Sequence, residues 1–548
     1  MTTTTNERII PVEYDLRGNP VGKARMSAPD DSIGIMLMVP DRVIPVIFVP
    51  GVMGSNLKQK GAKPEDAVTW RLDGAGSAAR WAMADRNAAF RKRYLQPQMM
   101  EVDRGGFITQ GTRLPDEELR RRGWGEVGAL SYGKWLVWLE NALHDYGDSA
   151  NGERMRLNDA HLPLLSGAVN LTRDEIGLTY RYRFPVHACG YNWLDSNVVA
   201  ANRLGECIDE VIARYKAENK RCEKVIIVTH SMGGLVARHS SEVGGYRDKI
   251  LGVVHGVMPA IGAAAVYRRF KAGTEDPTGW YNVKGAITAS ALGNDAAEMT
   301  AVLSSAPGPL QLLPTPEYGN GWLKIKDGAK EYSFPQQGDP YGEIYTVRGK
   351  WWSMCEDHLI NPLNQERRPR DRQVRVDSDW MAFAFTIGRQ VKTFHDAIKG
   401  HYHRNTHAFI GNHRDFKAYG TVTWTGNGGS WMRGDREADV LNATVTPRPN
   451  QIETERNVAA PLLGNGWQTG ENQTYTISEP DEDGDGTVPW RSGKVVRPAC
   501  QSYMQVRVSH EPAYKFEEGP DNEMACRFTL RAIVKIAQEV QSTSLRYE

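Results

Sequence analysis

The run KVIIVTHSMGGLVARHSSE, Lys224 to Glu242, constrains the fold more than any other part of the chain. Val225 to Val228 are four consecutive β-branched residues, the pattern of a strand buried on both faces, and Met232 to Arg238 reads as the start of a helix. Ser231 falls on the turn between them. A serine hydroxyl is a poor nucleophile until a base takes its proton. A sharp strand-to-helix turn lifts the oxygen clear of the sheet, and the helix N-terminus offers N–H groups to a developing oxyanion. THSMG departs from the GxSxG elbow at its first glycine, which is Thr229 here. Taken alone, the stretch also fits a Ser-Gly-Gly connection in any α/β fold.

At 548 residues the chain is long enough for several domains or for one domain with long insertions, and the motif order below favours insertions. Lys+Arg 67 against Asp+Glu 66 leaves a formal charge of +1, which excludes a global electrostatic pull toward nucleic acid and makes any membrane contact local. There is no run of about 18 apolar residues, and MTTTTNERII lacks a basic segment followed by an apolar one. The expectation is a soluble chain made in the cytoplasm without a Sec signal. Six cysteines, Cys189, Cys207, Cys222, Cys355, Cys500 and Cys526, are scattered without a CxxC pair or Cys/His spacing, so buried thiols are expected rather than a disulfide frame or a metal site.

Residues 1–40 are polar and irregular. In RVIPVIFVPGVMGSNLK, Arg42 to Lys58, an apolar run is followed by a glycine turn that lets backbone approach a ligand closely. Such a turn beside a nucleophile supplies a second oxyanion donor, so the backbone N–H groups of Met53 and Met232 are the candidates. Residues 58–177 read as an insertion containing one core helix, 131–147, capped by Ser131 and carrying Trp135, Leu136, Leu139 and Leu143 on one face. Tyr180 to Asn197 gives a strand and an aromatic turn, Val198 to Lys216 a helix, and Lys249 to His255 the next buried strand. This alternation predicts an α/β fold, a mostly parallel sheet with helices on both faces. Its core is discontinuous: 41–57, 178–258, 343–351 and 476–548, with EIYTVR at 343–348 as a strand. Residues 259–342 read as a cap or lid, with helical segments at Gly262 to Lys271 and Val283 to Leu292, and 352–475 as a second insertion. The four histidines of His395 to Phe409 lack a carboxylate or cysteine pattern that would fix a metal geometry and are expected at the surface.

DEDGDGTVPWRSG, from Asp481, places an acid on a loop, and SYMQVRVSHEPAY, from Ser502, follows with a strand and a histidine. Asp481, Asp483, Asp485 and Gly486 also match the opening of a calcium loop, but Ser492 stands where the closing acid belongs and no helices flank it, so no cofactor is expected. Ser231, Asp485 and His510 satisfy the order Ser, Asp, His of a hydrolase triad. Asp357, shortly after EIYTVRG, is the second candidate for the acid.

PGVMGSNL (50–57), GYNW (190–193), HSMGG (230–234), SSAPGPLQLLP (304–314), EIYTVRG (343–349), GDGTVP (484–489) and His510 follow one another as in lecithin:cholesterol acyltransferase-like α/β-hydrolases, and several are shared with PGAP1-like lipases. The resemblance covers about half the chain. It implies an α/β-hydrolase fold with Ser231 as nucleophile, His510 as general base and acid, Asp485 orienting His510, and Met53 and Met232 as oxyanion donors. It further implies acyl-ester chemistry on glycerophospholipids through an acyl-enzyme passed to water or an alcohol. Asn192 stands where the family's YDW turn has aspartate. The catalytic set on a long chain without an export signal also resembles the antibacterial lipase effectors of type VI secretion. Those act on the membranes of a neighbouring cell, from its periplasm, and are held in check by an immunity protein. The partners implied are a phospholipid membrane surface, an immunity protein and a component of the secretion apparatus. An intracellular esterase or acyltransferase, and a non-catalytic α/β-hydrolase binding module, remain as alternatives.

Overall fold

The apolar runs at 46–49, 225–230 and 250–256 lie side by side. The computed structural model describes residues 7–10, 12–14, 20–22, 33–36, 40–63, 65–81, 83–145, 152–167, 170–274, 292–426, 440–446, 451–459 and 472–547. Seven strands form the central sheet: β1 (Val46–Val49), β2 (Leu164–Ser166), β3 (Val186–Ala188), β4 (Val225–His230), β5 (Ile250–Gly256), β6 (Thr406–Gly411) and β7 (Cys500–Val506). Their spatial order is β3-β1-β4-β5-β6-β7-β2, parallel throughout except for β2.

Alternation along each strand sorts the core into two layers. Val225 and Ile227 of β4 join one apolar cluster, Ile226 and Val228 the other. Helix α1 (Ala129–Leu143) packs in the second cluster, α2 (Asn197–Ala217) and α3 (Gly233–Glu242) largely in the first, and after α4 (Ala265–Ala272) of the cap, α5 (Pro520–Ala537) returns to the second. Helices thus cover both faces, and β4 and β5 are buried along their whole length.

Several expectations are corrected. Helix α1 begins at Ala129 after Gly128, so Ser131 is not its cap; the Ser131 hydroxyl instead donates to Glu511 Oε1 at 2.6 Å. Trp135, Leu136, Leu139 and Leu143 are all buried, as their spacing predicts. EIYTVR is not a strand: Tyr341–Tyr345 forms a π-helical turn, with the Tyr345 hydroxyl donating to Pro314 O at 2.5 Å and that of Tyr341 to His395 Nδ1 at 2.8 Å. The strand beside β5 is β6, from within 352–475. The cap and the second insertion share a six-stranded sheet, in which Leu323–Asp327 pairs parallel with Val422–Gly426. The helical segment expected at Val283 to Leu292 lies outside the described residues except for Leu292.

The first inserted segment is tied to the sheet edge by buried charge. Arg122 Nε meets Glu118 Oε1 at 2.7 Å and its Nη1 meets Glu140 Oε1 at 3.0 Å, while Glu140 Oε2 accepts the Val186 N–H of β3 at 2.8 Å. Arg214 of α2 also reaches Glu118, at 2.6 Å. Removing one member of such a cluster strands the rest in a dry environment. Arg122→Met is expected to lower unfolding stability by about 3–5 kcal/mol, read as a fall in the denaturant midpoint.

Candidate active site

Three loops at the C-terminal ends of β1, β4 and β7 converge. Ser231 follows β4 directly and holds φ at +52°, in the left-handed region that a side chain occupies at a cost. Its N–H donates to Gly256 O at 3.0 Å, tying the turn to β5. Two glycines make the turn possible. A Cβ on Gly51 would sit 3.0 Å from the Ser231 Cβ, and one on Gly233 would sit 2.5 Å from the carbonyl oxygens of Val49 and Pro50. Thr229, in place of the usual elbow glycine, faces its register partner His255 on β5 and bonds it, Thr229 Oγ1 to His255 Nδ1, at 3.0 Å. Burial lowers His255 to about 3, so its ring stays neutral and can accept from the threonine hydroxyl.

His510 lies in the loop after β7 and Asp485 in the loop after the short strand Glu482–Gly484. His510 Nε2 is 2.8 Å from Ser231 Oγ, and His510 Nδ1 is 2.8 Å from Asp485 Oδ2. The carboxylate accepts, so Nδ1 carries the proton and Nε2 is left to accept from the serine hydroxyl. Asp485 Oδ1 takes the N–H groups of Thr487 at 2.9 Å and Val488 at 2.7 Å, and the His510 N–H donates to Asp485 O at 2.8 Å. The structure thus brings Ser231, Asp485 and His510 together. Asp357 lies apart, accepting from Arg348 Nε at 2.8 Å.

The turn after β1 is held from all sides. Gly51 N–H donates to the Tyr132 hydroxyl at 3.2 Å, Pro50 O accepts from the Tyr191 hydroxyl at 2.9 Å, Met53 O accepts from Trp70 Nε1 at 3.0 Å, and Gly54 N–H donates to Gly51 O at 3.0 Å. Met53 has φ +64°. Among the described residues, the N–H groups of Met53 and Met232 have no acceptor within the protein. Sequence reasoning missed Tyr132, Tyr191 and Trp70; the aromatic turn around GYNW was the available signal for Tyr191. Asn192 acts as a donor, from Nδ2 to Pro97 O at 2.8 Å and Met100 O at 3.0 Å, bonds an aspartate cannot make.

The carboxylates of the acidic run are engaged by protein groups. Asp481 accepts from Gly420 N, Thr421 N and Thr421 Oγ1, Asp483 pairs with Lys417, and Asp485 is engaged as above. Among the described residues no group of three or more His, Cys, Asp or Glu is placed to hold an ion. The histidines expected at the surface are corrected: His395, His403 and His407 are buried and only His401 is exposed. Burial lowers these three to about 4, 4 and 3, and His395 and His407 each spend both ring nitrogens on protein partners.

A mostly parallel sheet covered on both faces, with a serine on a left-handed turn between strand and helix, is an α/β-hydrolase fold. Residues 194–267 match the family described as the PGAP1-like alpha/beta domain. Among solved structures, the chain is similar to one described as the crystal structure of the Tle4–Tli4 complex, with a TM-score of 0.72 and 26% identity, over 90% of this chain and 98% of that one. No curated protein matches.

Thr229→Val keeps the β-branched shape and removes the hydroxyl, leaving the His255 Nδ1 buried without its partner. The loss of that buried hydrogen-bond partner, whichever group donates, is expected to cost about 1–3 kcal/mol, measured by equilibrium denaturation.

Proposed function

We propose that the chain is a serine lipase that hydrolyses acyl esters of membrane glycerophospholipids through an acyl-enzyme. The observation that carries this reading is the continuous hydrogen-bonded series from Asp485 through His510 to Ser231. In it, His510 takes the Ser231 proton as the oxygen attacks the ester carbonyl, and Asp485 holds the imidazole in the required tautomer and stabilises its cation. The oxyanion is received by the N–H groups of Met53 and Met232, which have no other acceptor among the described residues. His510 then returns the proton to the leaving alcohol, and water repeats the sequence on the acyl-enzyme. The chemistry needs no cofactor. Ser231 is only 3% exposed, so part of the overlying structure must move before a lipid ester reaches it.

We assign the lipase to the antibacterial effectors of type VI secretion, acting on target-cell membranes from the periplasm and neutralised in the producer by an immunity protein. Two observations support this: the ordered motifs from PGVMGSNL to His510, and a likeness to the Tle4–Tli4 complex that spans the insertions as well as the hydrolase core.

Fatty-acid release from mixed phospholipid vesicles tests the chemistry. Ser231→Ala and His510→Ala are expected to abolish release, and Asp485→Asn to lower it on the order of 10⁴-fold, with Asp357→Asn close to the parent. Release by Ser231→Ala at the parental rate would sink the serine mechanism. The effector assignment is checked by expression in a sensitive bacterium: growth arrest is expected when the chain is directed to the periplasm and not when it stays in the cytoplasm, and is expected to vanish with Ser231→Ala. Arrest that survives this substitution would sever toxicity from the triad.

A further inference from the structure

One buried titratable residue beside the nucleophile takes no part in the proton transfers above. His230 is the last residue of β4, immediately before Ser231, and both of its ring nitrogens are committed. Nε2 lies 2.9 Å from the main-chain oxygen of His510, which can only accept, so Nε2 carries the proton. Nδ1 is left as an acceptor and lies 2.9 Å from the Tyr132 hydroxyl. That hydroxyl in turn accepts the Gly51 N–H at 3.2 Å. The donors and acceptors therefore run in one sense, from Gly51 N–H through Tyr132 and His230 to His510 C=O, with no group left over.

The two ends of this series are the two places where geometry decides the chemistry. Gly51 opens the turn that carries the Met53 N–H, and His510 is the base. The His510 backbone is gripped on both sides, its N–H by Asp485 O at 2.8 Å and its C=O by His230. Resting on the triad reading above, we propose that His230 and Tyr132 are positioning residues that lock the oxyanion turn and the His510 loop into one register. Neither touches the reacting atoms; each acts through Gly51 or His510.

The electrostatics agree. The His230 and His510 rings are 5.2 Å apart, and a charged His230 would oppose the imidazolium that forms on His510. Burial first, and the nearby His510 second, hold His230 down to about 3, so it stays neutral. Burial pushes the Tyr132 phenol up, so it keeps the proton it donates to His230. A histidine that merely filled the core would not need one partner on the His510 loop and another, Tyr132, that itself holds the turn after β1.

The test compares the parent with Tyr132→Phe, His230→Leu, His230→Gln and the double variant Tyr132→Phe/His230→Leu. The readouts are kcat and KM on a soluble p-nitrophenyl ester, the rate of fluorophosphonate labelling of Ser231, and thermal midpoint. Loss of register is expected to lower kcat about 100-fold in His230→Leu and about 10-fold in Tyr132→Phe, with KM within about twofold, since sub-ångström misplacement costs rate on this scale. The double variant is expected to match His230→Leu, because the two residues act as a unit. Glutamine can still donate to His510 O, so His230→Gln is expected to recover most of the rate. If His230→Leu does not fold, Tyr132→Phe and His230→Gln carry the comparison. Parental kcat and labelling in folded Tyr132→Phe and His230→Leu would overturn the relay, as would losses that follow the folded fraction alone. Ser231→Ala separates this from failure of the underlying reading. An inactive Ser231→Ala beside unimpaired relay variants removes the relay alone, whereas an active Ser231→Ala removes the triad and the relay with it.

Discussion

The site depends on backbone held where backbone does not rest by itself. Among the described residues only four non-glycine positions have positive φ, and three of them, Met53, Ser231 and Val257, follow the C-terminal ends of the adjacent strands β1, β4 and β5. Each costs about 1–3 kcal/mol and persists only where its surroundings over-determine it. Here they do so by contact. Ser231 N–H is fixed to Gly256 O and Val257 N–H to Phe409 O, while Gly51 and Gly233 bring the backbone of the β1 turn, the Ser231 turn and the start of α3 closer than any side chain would permit. Parallel strands supply the rigid frame on which this strain concentrates, at the C-terminal ends of the strands.

That frame alone does not explain the turn after β1. Its hydrogen bonds go to Tyr132 and Trp70, from within the first inserted segment, and to Tyr191 from the aromatic turn after β3. The insertion is in turn bound to the sheet through the Arg122 cluster, to the GYNW turn through Asn192, and to the His510 loop through the Ser131–Glu511 bond. With the polar groups of Pro50, Gly51 and Gly54 and the Met53 carbonyl engaged, the Met53 N–H stays without an acceptor among the described residues.

Legibility in the sequence follows the range of the interaction. The strands β1, β4 and β5 were readable because burial on both faces writes itself into consecutive residues, and Ser231, Asp485 and His510 because their order along the chain is a topological property of the fold. Tyr132 and Trp70 were not readable: their partners lie 81 and 17 residues away, and nothing local distinguishes them from other buried aromatics. EIYTVR misled because its alternation is that of a strand, whereas the bonds of Tyr341 and Tyr345 to other segments, made across 54 and 31 residues, decide its shape. The histidines of 395–407 misled for a related reason. Histidine in a polar stretch reads as exposed until its partners are known, and those of His395 and His407 include Tyr341, Gln311 and Ser502.

The distribution of these contacts also bears on which part of a closed site can open. Displacing the first inserted segment would break the bonds to Gly51 and Met53, pull Tyr132 from His230, and leave the members of the Arg122 cluster unpaired. Each buried polar group so abandoned costs about 1–3 kcal/mol, and the charged ones more. Opening there would dismantle the turn after β1. The cap and second insertion, by contrast, share their own six-stranded sheet and hold none of the hydrogen bonds of the Pro50–Gly54 turn described above. Displacing the cap breaks polar ties elsewhere, as between Gln311 and the Asn197 N–H and Ser196 hydroxyl, and leaves the hydrogen bonds of that turn in place, whereas 352–475 carries β6 of the central sheet and cannot move as a body. An opening that keeps the turn after β1 assembled therefore spares the first inserted segment, whose Tyr132 and Trp70 hold that turn.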